Sequence, residues 1–267
     1  VLCINGFALK GAASAAAGNK LSSSSKTRVA IVAALERELH PLVKNWNRTH
    51  HDHEGRSFTF FERADTVVIC DGIGAQAARR AAEAVIALYN PSLLQSVGFA
   101  GALDANLHIG EIFTPSLVLD ARDGSRIQLA GAEGALITFM SVAGAQQKAK
   151  LARAYEARAV DMEAAAVAAA ARAHGIPFAA IKVISDEFNF EIPAMSAFID
   201  AEGGFQTVNF TLFALLRPWL WPRLVALARN SQKASRALSA HLESFCNQLQ
   251  PVAAVLSPTV LPTGGRK

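Results

Sequence analysis

Carboxylates and glycine turns fall repeatedly just after short apolar runs in this chain. Glu36 and Glu38 follow 29–34, Asp71-Gly72-Ile73-Gly74 follows 66–70, and Gly98-Phe99-Ala100-Gly101 follows 93–97. Ser185-Asp186-Glu187 follows 178–184, and Asp161 and Glu163 sit where an alanine-dense helix begins. Open α/β sheets bind ligands beyond the carboxyl ends of their strands, so these groups belong on one rim. Carboxylates collected there are the material of acid–base chemistry, and paired glycines at a turn permit close ligand approach. No cysteine nucleophile, metal box or serine elbow competes. The three cysteines, Cys3, Cys70 and Cys246, are scattered and form no CxxC pair. His50, His51 and His53 with Asp52 look like a metal tract, but no further Cys or His lies nearby, so 47–55 reads as an exposed polar loop.

The elements that must position these residues alternate in type. The runs 29–34, 57–61, 66–70, 93–99, 111–119, 135–142 and 178–184 read as strands. Helical spacing marks 36–46, 76–89 and 145–155. The stretch 161–174 has Asp161 as N-cap, Gly175 as stop and Pro177 beyond it. Further helices are expected at about 194–216 and 221–249. Strands alternating with helices mean an α/β fold with a parallel or mixed sheet in one domain.

Composition narrows the classes. The chain has 267 residues, 51% hydrophobic and 18% charged, enough to bury roughly 75% of its unfolded surface. That apolar fraction excludes wholesale disorder, and three scattered thiols exclude a disulfide scaffold and suit a reducing compartment. The net charge of +4 is dispersed rather than gathered on a face, which argues against nucleic acid as partner. Residues 1–27, rich in Gly, Ala and Ser, read as a disordered leader and 251–267 as a tail, leaving 28–250 as the folded domain.

The most apolar stretch, 205–227, is interrupted by Asn209, Arg217, Pro218, Pro222 and Arg223, so it is no membrane span. Its Phe, Trp and Leu content fits a membrane-surface element, an entrance for a lipid substrate, or a subunit interface, with core or dimer packing the favoured reading.

Five pieces in order resemble the purine nucleoside phosphorylase/hydrolase superfamily, and within it methylthioadenosine/S-adenosylhomocysteine nucleosidases. They are 29–38, Asp71-Gly72-Ile73-Gly74, Val97-Gly98-Phe99-Ala100-Gly101-Ala102-Leu103, Val160-Asp161-Met162-Glu163-Ala164 and Val183-Ile184-Ser185-Asp186. The resemblance implies a three-layer α/β/α domain with a mixed, partly barrel-like central sheet. It implies hydrolysis of the N-glycosidic bond of a purine ribonucleoside, adenine being the expected base. Asp186, oriented by Ser185, would serve N7 of the leaving purine, Glu163 beside Met162 would bind the ribose hydroxyls, and Glu38 would activate water. Gly72, Gly74, Phe99, Ala100 and Gly101 would line the substrate site. The family often has Ser or Thr where Phe99 stands, a position that binds phosphate in phosphorylases. Phe99 and Glu38 therefore favour water over phosphate as acceptor.

No metal or other cofactor is implied. A cytoplasmic homodimer is. The family's Gly-Asp-aromatic purine loop is not recognisable around 141–144. The alternatives are phosphorolysis, a nucleoside-binding protein without activity, and a bulky apolar 5′ group, as in the hopanoid-linked adenosyl nucleosides on which a related branch acts.

Overall fold

The computed structural model describes residues 28–130, 134–191, 196–200 and 202–255. The leader expected over 1–27 lies outside them, as do 256–267.

The first strand shows why the domain has three layers. β1 (Val29–Ala33) is buried at every position. Its alternate residues Ala30 and Val32 join a core with β3 (Arg56–Arg63), β4 (Thr66–Cys70), α2 (Ala75–Tyr89) and α4 (Ala164–Ala173). Val29, Ile31 and Ala33 face the opposite core, built with α1 (Glu36–Val43) and α6 (Trp221–Val255). A strand covered on both faces loses its polar alternation and reads as a continuous apolar run. The alanines of α2 and α4 let these two helices pack closely on their side of the sheet.

β1 pairs in parallel with β4 and with β5 (Leu93–Ala102). β5 is the branch point. It also pairs in parallel with β11 (Phe178–Asp186), and its end pairs antiparallel with β10 (Ala157–Asp161). From β10 the sheet continues through β9 (Ala135–Thr138) and β7 (Leu117–Asp120) to β8 (Arg126–Gln128). At the other edge β3 pairs with β2 (Asn47–His53), and β6 (Ile112–Phe113) pairs with β11. The mixed sheet thus forks at β5 and stays open rather than closing into a barrel. α3 (Ala145–Tyr155) links β9 to β10, and α5 (Thr207–Leu215) precedes α6.

Several elements differ from the sequence expectation. The stretch 47–55 is not a loop but edge strand β2, turned back at Glu54 and Gly55, both at positive φ. One edge and one face of β2 meet water, so its polar residues imitate a loop. On it His50 contacts Thr59 at 3.2 Å and His51 packs against Phe60 and Tyr89. Among the described residues no three His, Cys, Asp or Glu are placed to hold a metal ion.

The run 111–119 splits into β6 and β7 around Pro115, which has no N–H for a ladder. The helix expected from Asp161 begins at Ala164, because 157–161 is strand β10. The helix expected over 194–216 is a short 3-10 turn at Ser196–Phe198, a bridge between Ile199 and Phe205, and then α5. α6 continues to Val255, beyond the 221–249 expected for this helix. No helix among the described residues is long and apolar enough to cross a membrane.

Candidate active site

Glu38 enters from the first turn of α1. Its backbone N–H reaches Leu35 O, which starts the helix directly after β1 and turns the carboxylate inward, 6% exposed. The carboxylate lies over Gly98: a Cβ there would stand 2.6 Å from Glu38 Oε2. That contact, with a φ of +151°, explains a glycine in β5 at this level. Oε2 has no hydrogen-bond partner among the described residues. Burial raises the Glu38 pKa to about 8. Glu163 pushes the same way, while Lys182, Arg37 and the Phe99 N–H oppose.

β11 delivers Ser185 and Asp186. Ser185 Oγ donates to Asp186 Oδ1 at 2.7 Å. The other oxygen, Oδ2, is ion-paired with Lys148 of α3, whose side chain is 1% exposed. Lys148 Nζ also donates to Glu187 O at 2.7 Å, so the ammonium is anchored at the end of β11. Gly101 leaves room for this pair, since a Cβ there would lie 2.9 Å from Asp186 Oδ2 and 3.1 Å from Lys148 Cε.

A second buried cation organises the other carboxylates. Lys182, in the middle of β11, pairs with Asp161 Oδ2 at 2.9 Å and donates to Ser96 Oγ at 3.0 Å. Asp161 also accepts from Thr138 Oγ1 and from the Ala164 N–H that begins α4. Glu163, between β10 and α4, accepts from the Gly74 N–H at 2.8 Å and the Met162 N–H at 3.2 Å. Burial raises its pKa to about 7, Asp161 adds to that, and Lys182 and the two N–H donors work against it. Burial pulls Lys182 down, but Asp161, Glu163 and Glu38 together outweigh it and leave its pKa raised. The group therefore holds a cation surrounded by carboxylates that do not all ionise freely.

The carboxylates Glu38, Asp161, Glu163 and Asp186, with Lys148, share one cavity of about 550 Å³. Of the residues singled out in the sequence, Glu38, Glu163 and Asp186 line it together with Met162, Ser185, Phe99, Ala100 and Gly101. Gly72 does not line it. A Cβ at Gly72 would meet Gly203 O at 2.8 Å, so this glycine admits the 203 loop rather than a ligand. Gly74 lines an adjoining cleft, and its N–H donates to Glu163 Oε1. Ser141, Val142 and Ala143, where no purine loop was recognisable, also reach the wall. The far end is apolar, formed by Phe205 and Phe210 before α6 and by Leu224 and Leu227 on it.

Sequence reasoning missed the two lysines. Lys182 had a signal, as the one charge inside an otherwise apolar strand run. Lys148 had none, being one of two lysines on a polar-looking helix.

A cavity at the strand ends, ringed by buried carboxylates on a forked α/β sheet, is the setting of a small-molecule enzyme site. The model of the phosphorylase superfamily matches residues 28–137 and 132–217, and the chain belongs to that superfamily. Its fold is shared with the Arabidopsis thaliana 5′-methylthioadenosine nucleosidase at TM-score 0.65 and 19% identity, over 84% of this chain and 96% of that one. It is also shared with a Helicobacter pylori 5′-methylthioadenosine/S-adenosylhomocysteine nucleosidase bound to a pyrrolidine-containing ligand. There the TM-score is 0.61 at 15% identity, over 84% and 99% of the two chains. The futalosine hydrolase of the same organism matches at TM-score 0.57 and 15% identity, over 82% and 98%. No curated protein sequence matches the chain.

Proposed function

We propose that the protein hydrolyses the N-glycosidic bond of a purine ribonucleoside, adenine being the base, with water as acceptor. The observation that carries this is the unpartnered, buried Glu38 oxygen in the same cavity as Glu163 and the Ser185–Asp186–Lys148 cluster. The solved nucleosidases that share the fold support it, one of them holding adenine.

As the bond between C1′ and N9 lengthens, the ribose gains positive charge and the purine negative charge. Asp186 faces N7, and the proton N7 takes is drawn from the Asp186–Lys148 pair, with Ser185 fixing the carboxylate. Glu163 accepts hydrogen bonds from the ribose hydroxyls and offsets the sugar cation. Glu38 orients the attacking water and takes its proton as the oxygen bonds to C1′. Phe99 fills with an apolar ring the place where a phosphate would need donors.

The test is base release from methylthioadenosine, S-adenosylhomocysteine, adenosine and inosine, with and without phosphate. Phosphate-independent release, reduced about 10²- to 10⁴-fold in Asp186→Asn, is expected. Release only with phosphate makes the protein a phosphorylase. Tight binding without release makes it a nucleoside-binding protein.

The apolar end formed by Phe205, Phe210, Leu224 and Leu227 favours a narrower reading, in which the 5′ substituent is bulky and apolar. A hopanoid-linked adenosyl nucleoside has that chemistry. Activity confined to small thio-nucleosides, with none on lipid-linked ones, removes this reading.

A further inference from the structure

The stretch 205–227 does not behave as buried core throughout. The largest exposed apolar side chains concentrate in it: Leu215, Leu216, Trp219, Trp221 and Val225 are 60%, 75%, 69%, 49% and 48% exposed. Elsewhere among the described residues the exposed large hydrophobics are Leu88 and Met140 alone, and Leu88 is less exposed than any of these five. The first turns of α6 therefore carry two apolar stripes. Leu224, Leu227 and Ala228 line the cavity, while Trp221 and Val225 stand beside them facing outward. The patch borders the apolar end of the cavity.

Charge is the second observation. From 203 to 242 the chain has no Asp or Glu, yet it carries Arg217, Arg223, Arg229, Lys233 and Arg236. These five cations exceed the net +4 of the whole chain. Arg223 and Arg229 are exposed on α6, and Arg217 lies over the Phe213 ring at 4.0 Å, next to Leu216 and Trp219. A two-fold interface between copies of this chain would bring like charges together around its apolar centre. An anionic bilayer surface complements the same pattern. Trp and Leu enter the headgroup boundary, and Arg pairs with phosphates while its stem stays among apolar groups.

We propose that residues 215–225 with their flanking arginines form a docking surface for the anionic face of a lipid bilayer, setting the apolar end of the cavity against the membrane. This surface is independent of the reaction assigned to the cavity.

The experiment is flotation of the full chain with phosphatidylcholine vesicles, with and without phosphatidylglycerol, alongside light scattering of the protein alone. Binding to the phosphatidylglycerol vesicles is expected, with a blue shift of tryptophan emission, since the remaining tryptophan, Trp46, is already buried. Leu216→Ser with Trp219→Ser should abolish flotation. Each of Arg223→Gln and Arg229→Gln should weaken it about fivefold. Hydrolysis of a soluble nucleoside should be unchanged, because Leu216 and Trp219 do not line the cavity. Thermal melts of each variant exclude misfolding. Absence of flotation in the wild type overturns the proposal, as does flotation that survives Leu216→Ser with Trp219→Ser. A dimer that this double variant dissociates, without vesicle binding, assigns the patch to a subunit interface instead.

Discussion

Glu38 and Glu163 face the same buried cation, and neither can ionise without cost to the other. The water-activating role proposed for Glu38 requires an ionised carboxylate, and burial sets its pKa at about 8 in the free site. kcat/KM should therefore rise with pH through about 8, in a limb that belongs to the coupled pair. Glu38→Gln should lower kcat by roughly 10²- to 10⁴-fold and flatten that limb. A wild-type profile already flat from pH 6 to 9 refutes this. Stability should move the opposite way. The folded pKa lies above the ordinary 4.5, so between these values the native state holds a proton that the unfolded chain releases. This contribution is complete below about 4.5 and is lost as pH rises toward 8. Glu38→Gln has no such proton, so it should melt above the wild type at pH 9 and lose the advantage by pH 5. A gain of about 2 kcal/mol would appear as roughly 4–8 °C in a domain of this size. Parallel melting curves for the two proteins across that range refute the linkage.

At the scale of elements, the site is a joint between strand ends and helix starts, held by two lysines. Lys148 ties α3 to the end of β11, and Lys182 ties β11 to the end of β10 and the start of α4. Removing Lys148 strands a buried carboxylate, so Lys148→Met should destabilise the fold by about 3 kcal/mol. Asp186→Asn in that background should recover a large part of the loss, since the uncompensated charge is gone. Denaturant melts of the four proteins measure the coupling, and a value under about 0.5 kcal/mol would mean that the pair does not act as a unit. Glu38 and Asp186 were readable from sequence because each follows an apolar run, and Glu163 because it opens an alanine-dense helix; the cavity gathers all three. The lysines were not, because a buried cation shows itself only when its partners are known in space. β2 was lost to its own polarity, and β10 was hidden by the helix signals that begin at Asp161. Gly72 looked like part of a ligand turn but serves backbone packing, a distinction of neighbours that local sequence does not carry.

Across the whole molecule, α6 joins the cavity to the core along one stripe. Ala234, Leu238, Leu242 and Cys246 close the inner core against β1 and α1, and the same side of the helix continues through Ser231, Ala228, Leu227 and Leu224 along the cavity. The helix is thus fixed at its far end by burial, and its near end forms an apolar wall of the cavity. A wall of this kind contributes to binding in proportion to the apolar area a ligand buries against it. With the proposed apolar 5′ group against it, the wall should separate substrates by that group while treating the purine and ribose alike. Leu227→Gln makes that wall polar without touching the carboxylates or the inner core. It should lower kcat/KM for a 5′-alkylthioadenosine with a long alkyl chain by about 10- to 100-fold, the worth of one or two good apolar contacts. It should leave kcat/KM for adenosine, which has no such chain, within about twofold. The informative quantity is the ratio of the two specificity constants. General damage to the fold would lower both together and leave the ratio unchanged, and an unchanged ratio would place the 5′ group somewhere other than against α6.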